Sequence, residues 1–549
     1  MTIDQRSRRL RAVGLTGGLG RIGRLLSAGR AESAVMPAVM IVSSRHRLWQ
    51  RYGPDGVFAI ERAVGELIEA MDARGLSGTL VYADDSPLLG RFGVLPADTG
   101  RADQVARVVR ELAARMAWTE ESVGHVLILG DDGIVPFDRP TNPAPDDESA
   151  LRSDHIYAAD ADEPLMPVRA VGRMPDRGLS LLVASIREAA AAHRQIAAGR
   201  PLPLTDEAFG YSASVWKRAA RGVYAAVGDP AALRLCPPLT HVEAPRPGAD
   251  GPRYRYYNLH GMVDSPAWFG QRDPAFRADY DRFPVALRPE DVQAAPGNLV
   301  FSAACYGAHI EGRAVHDSIA LTHLAGGCRA FVGATGVAYG GLDGGLVAAD
   351  LLAYRFWEAL RSGAAVGQAL AHAKWSLVSE TLARQGYVDA EDEKAVHNFV
   401  LYGDPSLVYQ APSTWAEDAA AVGRARGAAG WAGPADWVGT TPARPRAIDV
   451  VDPVQSSPAA LGQLVAQVRG AVARLLPEFG AGEVGVSTQP APRRVHAKSG
   501  LVAGDASQGP MIVTLKKSLR TGDGTACREV VCVTVDARGA IRKLTVSRG

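Results

Sequence analysis

This sequence of 549 residues has almost no net charge, few cysteines and no long apolar run. Its 60 Lys and Arg residues are balanced by 59 Asp and Glu residues, which argues against a surface tuned throughout for nucleic acid. Charged residues make up 22% and hydrophobic residues 47%, so the chain is not wholly disordered. No apolar stretch reaches the roughly 18 residues of a membrane span. We therefore expect a globular protein of roughly three to four domains without a membrane span.

The five cysteines do not form a disulfide framework, because their number is odd, they are widely spread and they include no Cys-x-x-Cys pair. A long chain with so few cysteines is typical of a reducing compartment. The basic N-terminal residues break their apolar stretch with Gly and Arg and lack the pattern of an export signal. We expect a cytoplasmic protein in which Cys236 and Cys328 are inert core residues.

Short apolar runs alternate with helical segments in two successive series, residues 36–200 and residues 201–412. Such alternation, which includes a helix near 59–74, predicts parallel strands covered by helices on both faces. The predicted fold class is therefore α/β, a parallel-sheet α/β/α sandwich in two side-by-side subdomains, of which the second carries the catalytic motifs described below.

Three further parts flank these subdomains. Residues 1–35 form an Arg- and Gly-rich arm, which we interpret as flexible. Residues 413–450 form a linker rich in Ala, Gly and Pro that also carries three Trp residues. Residues 451–549 predict a small α+β C-terminal domain, with one helix from Pro458 followed by three strands.

The C-terminal domain carries a local excess of basic residues. From residue 491 onward there are 11 Lys and Arg residues against four Asp and Glu residues. A nucleic-acid surface usually interleaves such charges with aromatic side chains, and none is interleaved here. We favour a solvated strand face and keep nucleic-acid binding through this domain as an alternative.

Two short motifs carry the chemistry of the sequence. His260-Gly261 and Ala304-Cys305 each follow an apolar strand, and the carboxyl ends of strands are where open α/β sheets place catalytic groups. If the two strands are parallel neighbours, the imidazole and the thiol face one crevice. A thiolate is a nucleophile and a nearby imidazole can exchange its proton, while the amides of Gly261 and Cys305 would form an oxyanion hole.

Several further motifs stand in a fixed order around this pair. They are HVLILGDDGIVPF at 125–137, Ser153-Asp154-His155-Ile156-Tyr157, Val171-Gly172-Arg173-Met174-Pro175, Trp268 with Gly270 after His260-Gly261, and Leu401-Tyr402-Gly403-Asp404-Pro405-Ser406-Leu407. Together with the pair they resemble the gingipain-like branch of the caspase-fold (clan CD) cysteine peptidases, over roughly residues 37–410.

The resemblance implies a cysteine endopeptidase acting on a protein or peptide substrate through an acyl-enzyme. Cys305 would be the nucleophile, His260 the general acid and base, and the amides of Gly261 and Cys305 the oxyanion donors. Tyr339 falls near the place where the family has an aromatic wall of the S1 pocket, and Trp268 is a second candidate for substrate binding. An intracellular peptidase needs control, and the basic N-terminal arm, the Trp-bearing linker and the C-terminal domain are all candidates for autoinhibition, autoprocessing or recruitment of a regulatory partner.

The sequence departs from the Arg-directed members of the family at one place. Where they have one carboxylate that orients the imidazole and another acid at the base of the S1 pocket, this chain reads Tyr211-Ser212-Ala213-Ser214-Val215-Trp216-Lys217, without an acid. The third catalytic residue is therefore unassigned, with Asp264 or an acid from another strand as candidates. A preference for basic P1 residues does not carry over.

Metal and cofactor sites have weak support. His316 and His323 lie seven residues apart on a predicted helix and could share one face, but no third ligand has metal spacing. The acidic stretch with Asp160, Asp162 and Glu163 has ligand types for structural calcium, which some family members bind, but lacks EF-hand spacing. We predict no cofactor. A catalytically inactive caspase-fold scaffold stays open as the other alternative.

Overall fold

The computed structural model describes ten stretches of the chain, residues 37–116, 122–203, 208–276, 280–342, 345–385, 387–410, 458–480, 484–490, 511–536 and 539–549. The predicted arm over 1–35 and the predicted linker over 413–450 lie outside the described residues. Within these stretches no helix is both long and apolar enough to cross a membrane.

A ten-stranded, mostly parallel sheet forms the centre of the molecule. Its strands are β1 (Pro37–Ser43), β2 (Ser77–Tyr82), β3 (Ser122–Leu129), β4 (Ala170–Met174), β6 (Ala208–Ala213), β7 (Arg234–Cys236), β8 (Tyr254–Asn258), β12 (Leu299–Ser302), β13 (Ala330–Ala334) and β15 (Phe399–Gly403). They lie in the order β2-β1-β3-β4-β15-β13-β12-β8-β6-β7. The predicted α/β fold class is confirmed, and both predicted subdomains contribute to this one sheet.

The sheet changes direction where its two halves meet. β15 pairs in parallel with β4 but antiparallel with β13, so the expectation of a wholly parallel sheet is wrong at this junction. The chain leaves β13, forms three helices and re-enters the sheet at the edge where β13 ends, with Phe399 opposite Ala334. The strands of the two halves therefore point to opposite edges.

Eleven α-helices lie in the described part of the chain. They are α1 (Arg45–Asp72), α2 (Pro87–Phe92), α3 (Ala102–Met116), α4 (His155–Ala158), α5 (Leu179–Ala197), α6 (Lys217–Tyr224), α7 (Ile319–Ala325), α8 (Ala349–Arg361), α9 (Val366–Gln385), α10 (Ala390–Asn398) and α11 (Pro458–Leu475). α1 begins well before the predicted residue 59, because Ser44 caps it by accepting the Arg47 amide at 3.3 Å. Gly53, at φ +65°, and Pro54 kink it and interrupt the apolar period.

The C-terminal domain shares a sheet with the rest of the protein. Four strands, β17 (Gly485–Pro490), β18 (Met511–Arg520), β19 (Ala526–Val535) and β20 (Ile541–Ser547), form an antiparallel sheet together with β14 (Tyr339–Gly341). Helix α11 contributes Leu464, Val468 and Val472 to a hydrophobic cluster that also contains Trp216 and Leu342. The predicted helix and three strands are present, and the pairing of β20 with β14 fixes the domain on the catalytic region.

Two smaller pairings complete the strands. β9 (His260–Gly261), β10 (Trp268–Phe269) and β11 (Val285–Leu287) form a short antiparallel sheet beside β8. β5 (Leu202–Pro203) pairs in parallel with β16 (Tyr409–Gln410). β9 places both residues of the His260-Gly261 motif in extended conformation directly after the central sheet.

A buried ion pair joins two of the motifs that carry the family resemblance. The Arg173 guanidinium is fully buried, and its Nε lies 2.9 Å from Oδ2 of Asp154. Its Nη1 donates to the carbonyls of Gly130 at 2.9 Å and Val135 at 2.7 Å. These bonds tie the end of β3 to β4, and neither charge has access to water to compensate for the loss of its partner.

Replacing Arg173 by Met leaves the Asp154 carboxylate buried and unpaired. We expect the free energy of unfolding to fall by about 3–5 kcal/mol. Arg187→Met is the matched control, since Arg187 pairs with Glu66 at the surface and such pairs contribute about 1 kcal/mol or less. Urea denaturation followed by circular dichroism compares the two, and equal midpoints would contradict the role given to this pair.

Candidate active site

The two motifs predicted to be catalytic meet at one edge of the central sheet. β8 and β12 are parallel neighbours with Tyr257 opposite Ser302, so the residues that follow both strands emerge together. A Cβ placed on Gly261 would overlap the carbonyl oxygen of Cys305. Only glycine allows this approach of the two main chains, which brings His260 and Cys305 to the same crevice.

Cys305 is fully buried and stands at a strained turn. Its Sγ accepts a hydrogen bond from the Ala338 amide at 3.0 Å. The next residue, Tyr306, has φ +54°, a conformation that bulky residues rarely adopt and that tends to occur at functional sites. Burial raises the pKa of the Cys305 thiol to about 12, so the thiol is protonated in this state.

His260 is enclosed by aromatic rings. The ring centroids of Trp216 and Phe283 lie 4.4 Å and 5.4 Å from the imidazole, and only 3% of the residue is exposed. Burial lowers the pKa of His260 to about 4, against the opposing effect of a hydrogen bond to Gln271. At neutral pH the pair therefore consists of a thiol and an uncharged imidazole.

An amide, and not an acid of the same segment, orients the imidazole. Nε2 of His260 lies 2.9 Å from Oε1 of Gln271, whose amide nitrogen donates to Glu478 at 3.0 Å and to Glu529 at 3.3 Å. Because Oε1 can only accept, Nε2 carries the proton and Nδ1 is left as the base. Asp264, one candidate for this position, does not hold it, and both carboxylates come from the C-terminal domain.

The main chain of Arg548 lies across the pair. Its carbonyl accepts the Gly261 amide at 2.9 Å, and its own amide donates to the Ala338 carbonyl at 3.0 Å. The Gly261 amide is free to donate to a carbonyl at this place, and the oxyanion roles of both the Gly261 and the Cys305 amides stay predictions. Hydrogen bonds of the Arg548 main chain also raise the pKa of His260 and lower that of Cys305, both against the larger effect of burial.

The side chain of Arg548 fills a closed pocket beside Cys305. Its guanidinium, fully buried, forms an ion pair with Asp350, the second residue of α8. The guanidinium carbon lies 5.2 Å from the centroid of the Trp216 ring, and a Cβ on Gly340 would overlap the guanidinium. Oδ2 of Asp350 is held by the Gly341 amide at 2.7 Å. A carboxylate, the face of an indole ring and a strand residue without a side chain together form a pocket that fits a planar cation.

The two aromatic residues expected to bind substrate lie elsewhere around this pocket. Tyr339 pairs with Ser547 in β14, and its hydroxyl donates to Asp146 at 2.8 Å. Trp268 pairs with Gly261 and packs on Tyr257, with ring centroids 5.4 Å apart. The ring beside the Arg548 guanidinium is that of Trp216, in the stretch that lacks the family carboxylate, and the substrate-binding roles of Tyr339 and Trp268 stay predictions.

Residues 287–410, which contain Cys305, Asp350 and the Gly-Asp-Pro-Ser-Leu motif, match the model of Peptidase family C25. The resemblance to the gingipain-like peptidases is thereby confirmed for that segment, called the C25 domain below.

Three solved structures are similar to the chain over two thirds of its length. One, described only as "Structure of Protease", has 11% identity, a TM-score of 0.44 and coverage of 68% of this chain and 79% of that chain. The Arg-specific cysteine proteinase gingipain R has 12% identity, a TM-score of 0.44 and coverage of 69% of this chain and 79% of that chain. The complex of the Porphyromonas gingivalis RgpB pro- and mature domains has 13% identity, a TM-score of 0.45 and coverage of 68% of this chain and 79% of that chain. No curated protein sequence matches significantly.

The two histidines considered as metal ligands do not lie together. His316 is exposed in a turn beside Asp317, whereas His323 is buried on α7 between Tyr257 and Phe331, so the expectation that they share a helix face is wrong. In the described stretches no group of His, Cys, Asp and Glu side chains could hold a metal ion. Cys236 and Cys328 are buried as expected, and burial raises the pKa of each thiol to about 12.

Besides Arg548, three basic residues of the C-terminal domain pair with acidic residues outside it. Lys516 lies 2.9 Å from Asp147, and Arg528 pairs with the same carboxylate. Lys543 is buried and lies 2.7 Å from Asp389. The local basic excess thus complements the surface on which the domain docks, which leaves the nucleic-acid alternative without support from these residues.

The raised pKa of Cys305 predicts the pH dependence of its alkylation. Only the thiolate reacts with iodoacetamide, and below a raised pKa the thiolate fraction grows about tenfold per pH unit. Labelling of Cys305 in the wild-type chain, followed by mass spectrometry of its peptide, should therefore rise without a plateau between pH 7 and 9. Cys305→Ala identifies the labelled peptide. A labelling rate that does not change between pH 7 and 9 would instead show a preformed thiolate.

Proposed function

We propose that this protein is a cysteine endopeptidase that cleaves peptide bonds after arginine, with Cys305 as nucleophile and His260 as general acid and base. One observation carries the proposal: the carbonyl of Arg548 accepts the Gly261 amide while its side chain occupies the Asp350 pocket. This is the placement that a P1 residue needs. The C25 domain gives the same reaction class independently. The protein carries five free cysteines, which suits a reducing compartment, and a cytoplasmic location stays a prediction.

The reaction begins when a substrate arginine replaces Arg548. The Cys305 thiol transfers its proton to Nδ1 of His260, and the sulfur attacks the carbonyl carbon while the carbonyl oxygen gains charge at the Gly261 amide. The C–N bond then breaks as the imidazolium protonates the leaving amine. Water, losing a proton to the imidazole, attacks the thioester, releases the carboxylate product and restores the thiol.

Gln271 keeps the imidazole in the tautomer that this sequence of steps requires. Its Oε1 accepts the Nε2 proton, and its own orientation is fixed by Glu478 and Glu529. Burial raises the pKa of Glu529 well above its usual value, with the neighbouring Glu478 acting in the same direction. The pair therefore holds the amide in place without two full negative charges beside the imidazole.

Activity is best tested in the Arg548→Ala variant, because the wild-type side chain fills the pocket that a substrate must enter. We expect this variant to cut a proteome-derived peptide library after arginine, with cut sites read by mass spectrometry. The matched control is Arg548→Ala combined with Cys305→Ala, which should cut nothing. Identical cut sites from both proteins, or no cuts by a folded Arg548→Ala variant, would favour the inactive scaffold.

Asp350 should determine the preference for arginine. Adding Asp350→Asn to Arg548→Ala removes the charge but keeps the shape of the pocket. Because truncating one partner of a buried charge pair costs about 2–5 kcal/mol, kcat/KM for a P1-Arg peptide amide should fall by about 100-fold. A peptide with an uncharged P1 residue of similar length is the comparison. Equal losses for the two substrates would mean that Asp350 acts on the fold and not on specificity.

A further inference from the structure

The strand that precedes Arg548 occupies the place of a substrate strand. β20 pairs antiparallel with β14, with Tyr339 opposite Ser547 and Gly341 opposite Thr545. Adding a strand to an exposed edge is a common way for a protein to hold an extended peptide. Since β14 leads directly from the loop that holds Cys305 Sγ, a strand paired with it points its next residue at the nucleophile.

The residue that follows Arg548 is also fitted to this place. A Cβ on Gly549 would overlap the carbonyl oxygen of Gly261 and would lie 2.9 Å from Cβ of Cys305. The Arg548–Gly549 peptide bond is thus packed against the nucleophile, and glycine is the residue that fits after it. With Arg548 and Gly549 in place, Cys305 is fully buried and His260 is 3% exposed.

A folded domain delivers this segment, which distinguishes it from a free peptide. Within the C-terminal domain, Val513 and Val546 lie in the same hydrophobic cluster as Trp216 of the catalytic region. Lys543, on β20 itself, lies 2.7 Å from Asp389 and 3.0 Å from Asp392, and all three side chains are buried. Tethering of this kind gives an effective concentration on the order of millimolar.

We propose that residues 541–549 are an autoinhibitory pseudosubstrate, in which β20 takes the substrate strand position and Arg548 occupies the S1 pocket until the segment is displaced. This proposal rests on the proposed function, whose active site it blocks. The segment and a substrate need the same edge of β14 and the same carboxylate, Asp350, so both cannot be bound at once. The neutral thiol and imidazole keep the blocked site chemically silent.

The test compares four full-length proteins: wild type, Arg548→Ala, Arg548→Glu and Arg542→Ala. Arg542 is the matched control, since it lies on the same strand but is 64% exposed and pairs with Asp536 within the C-terminal domain. The first readout is the rate of iodoacetamide labelling at Cys305, which requires access but no peptidase activity. We expect both Arg548 variants to label at least about tenfold faster than wild type, and Arg542→Ala to match wild type.

The second readout is hydrolysis of a P1-Arg peptide amide, which separates this proposal from the proposed function. Hydrolysis should rise in Arg548→Ala and Arg548→Glu in step with labelling. Faster labelling without hydrolysis in any protein would uphold the blockade and contradict the peptidase. Equal labelling in all four proteins overturns the blockade, whether or not they hydrolyse the peptide.

Hydrogen exchange shows whether the variants act locally. The amides of β14 and β20 should lose protection in both Arg548 variants, while those of β8 and β12 keep it. If β8 and β12 also lose protection, the variant Arg548→Lys is used in place of Arg548→Ala and Arg548→Glu, because lysine keeps a positive charge for Asp350 without the planar guanidinium. Its labelling rate should then fall between wild type and the fully open state, and a rate equal to wild type would overturn the proposal.

Discussion

The buried ion pair between Arg548 and Asp350 is the interaction on which the functional state of this protein depends. A guanidinium taken out of water needs a partner, and Nε and Nη1 of Arg548 have no hydrogen bond within the described part of the chain, so Asp350 and the face of the Trp216 ring compensate the charge. The pair fixes the register of β20 on β14, and that register places the Arg548 carbonyl on the Gly261 amide. Under the proposed function, the same geometry would fit both a bound substrate and an autoinhibited enzyme.

The C-terminal domain has two opposite effects on the catalytic pair. Through Arg548 it covers the pair, in which burial raises the pKa of Cys305 and lowers that of His260 against the smaller, opposite effect of the Arg548 main-chain hydrogen bonds. Through Glu478 and Glu529 it holds Gln271, which fixes the imidazole. Loss of the whole domain would remove both effects. The proposed autoinhibition would therefore be relieved by displacement of residues 541–549 alone, with the rest of the domain still docked.

Local sequence features predicted the fold class and the meeting of the two motifs, and they could not predict the specificity pocket. His260 and Cys305 each follow an apolar strand, and parallel pairing of those strands brings them to one edge. Asp350 lies on a helix with no motif around it, and its role depends on the pairing of β14 with β20, about 200 residues apart in the chain. Gln271 and its two carboxylates likewise meet only in the folded protein.

The most direct test of this account is the covalent reaction of Cys305 with peptide electrophiles in the Arg548→Glu variant. A peptidyl-arginyl chloromethyl ketone should modify Cys305 much faster than the same peptide with an uncharged P1 residue, and Asp350→Asn should abolish the difference. That result would place an arginine pocket beside a competent nucleophile. Equal rates for the two electrophiles, with or without Asp350, would contradict the account.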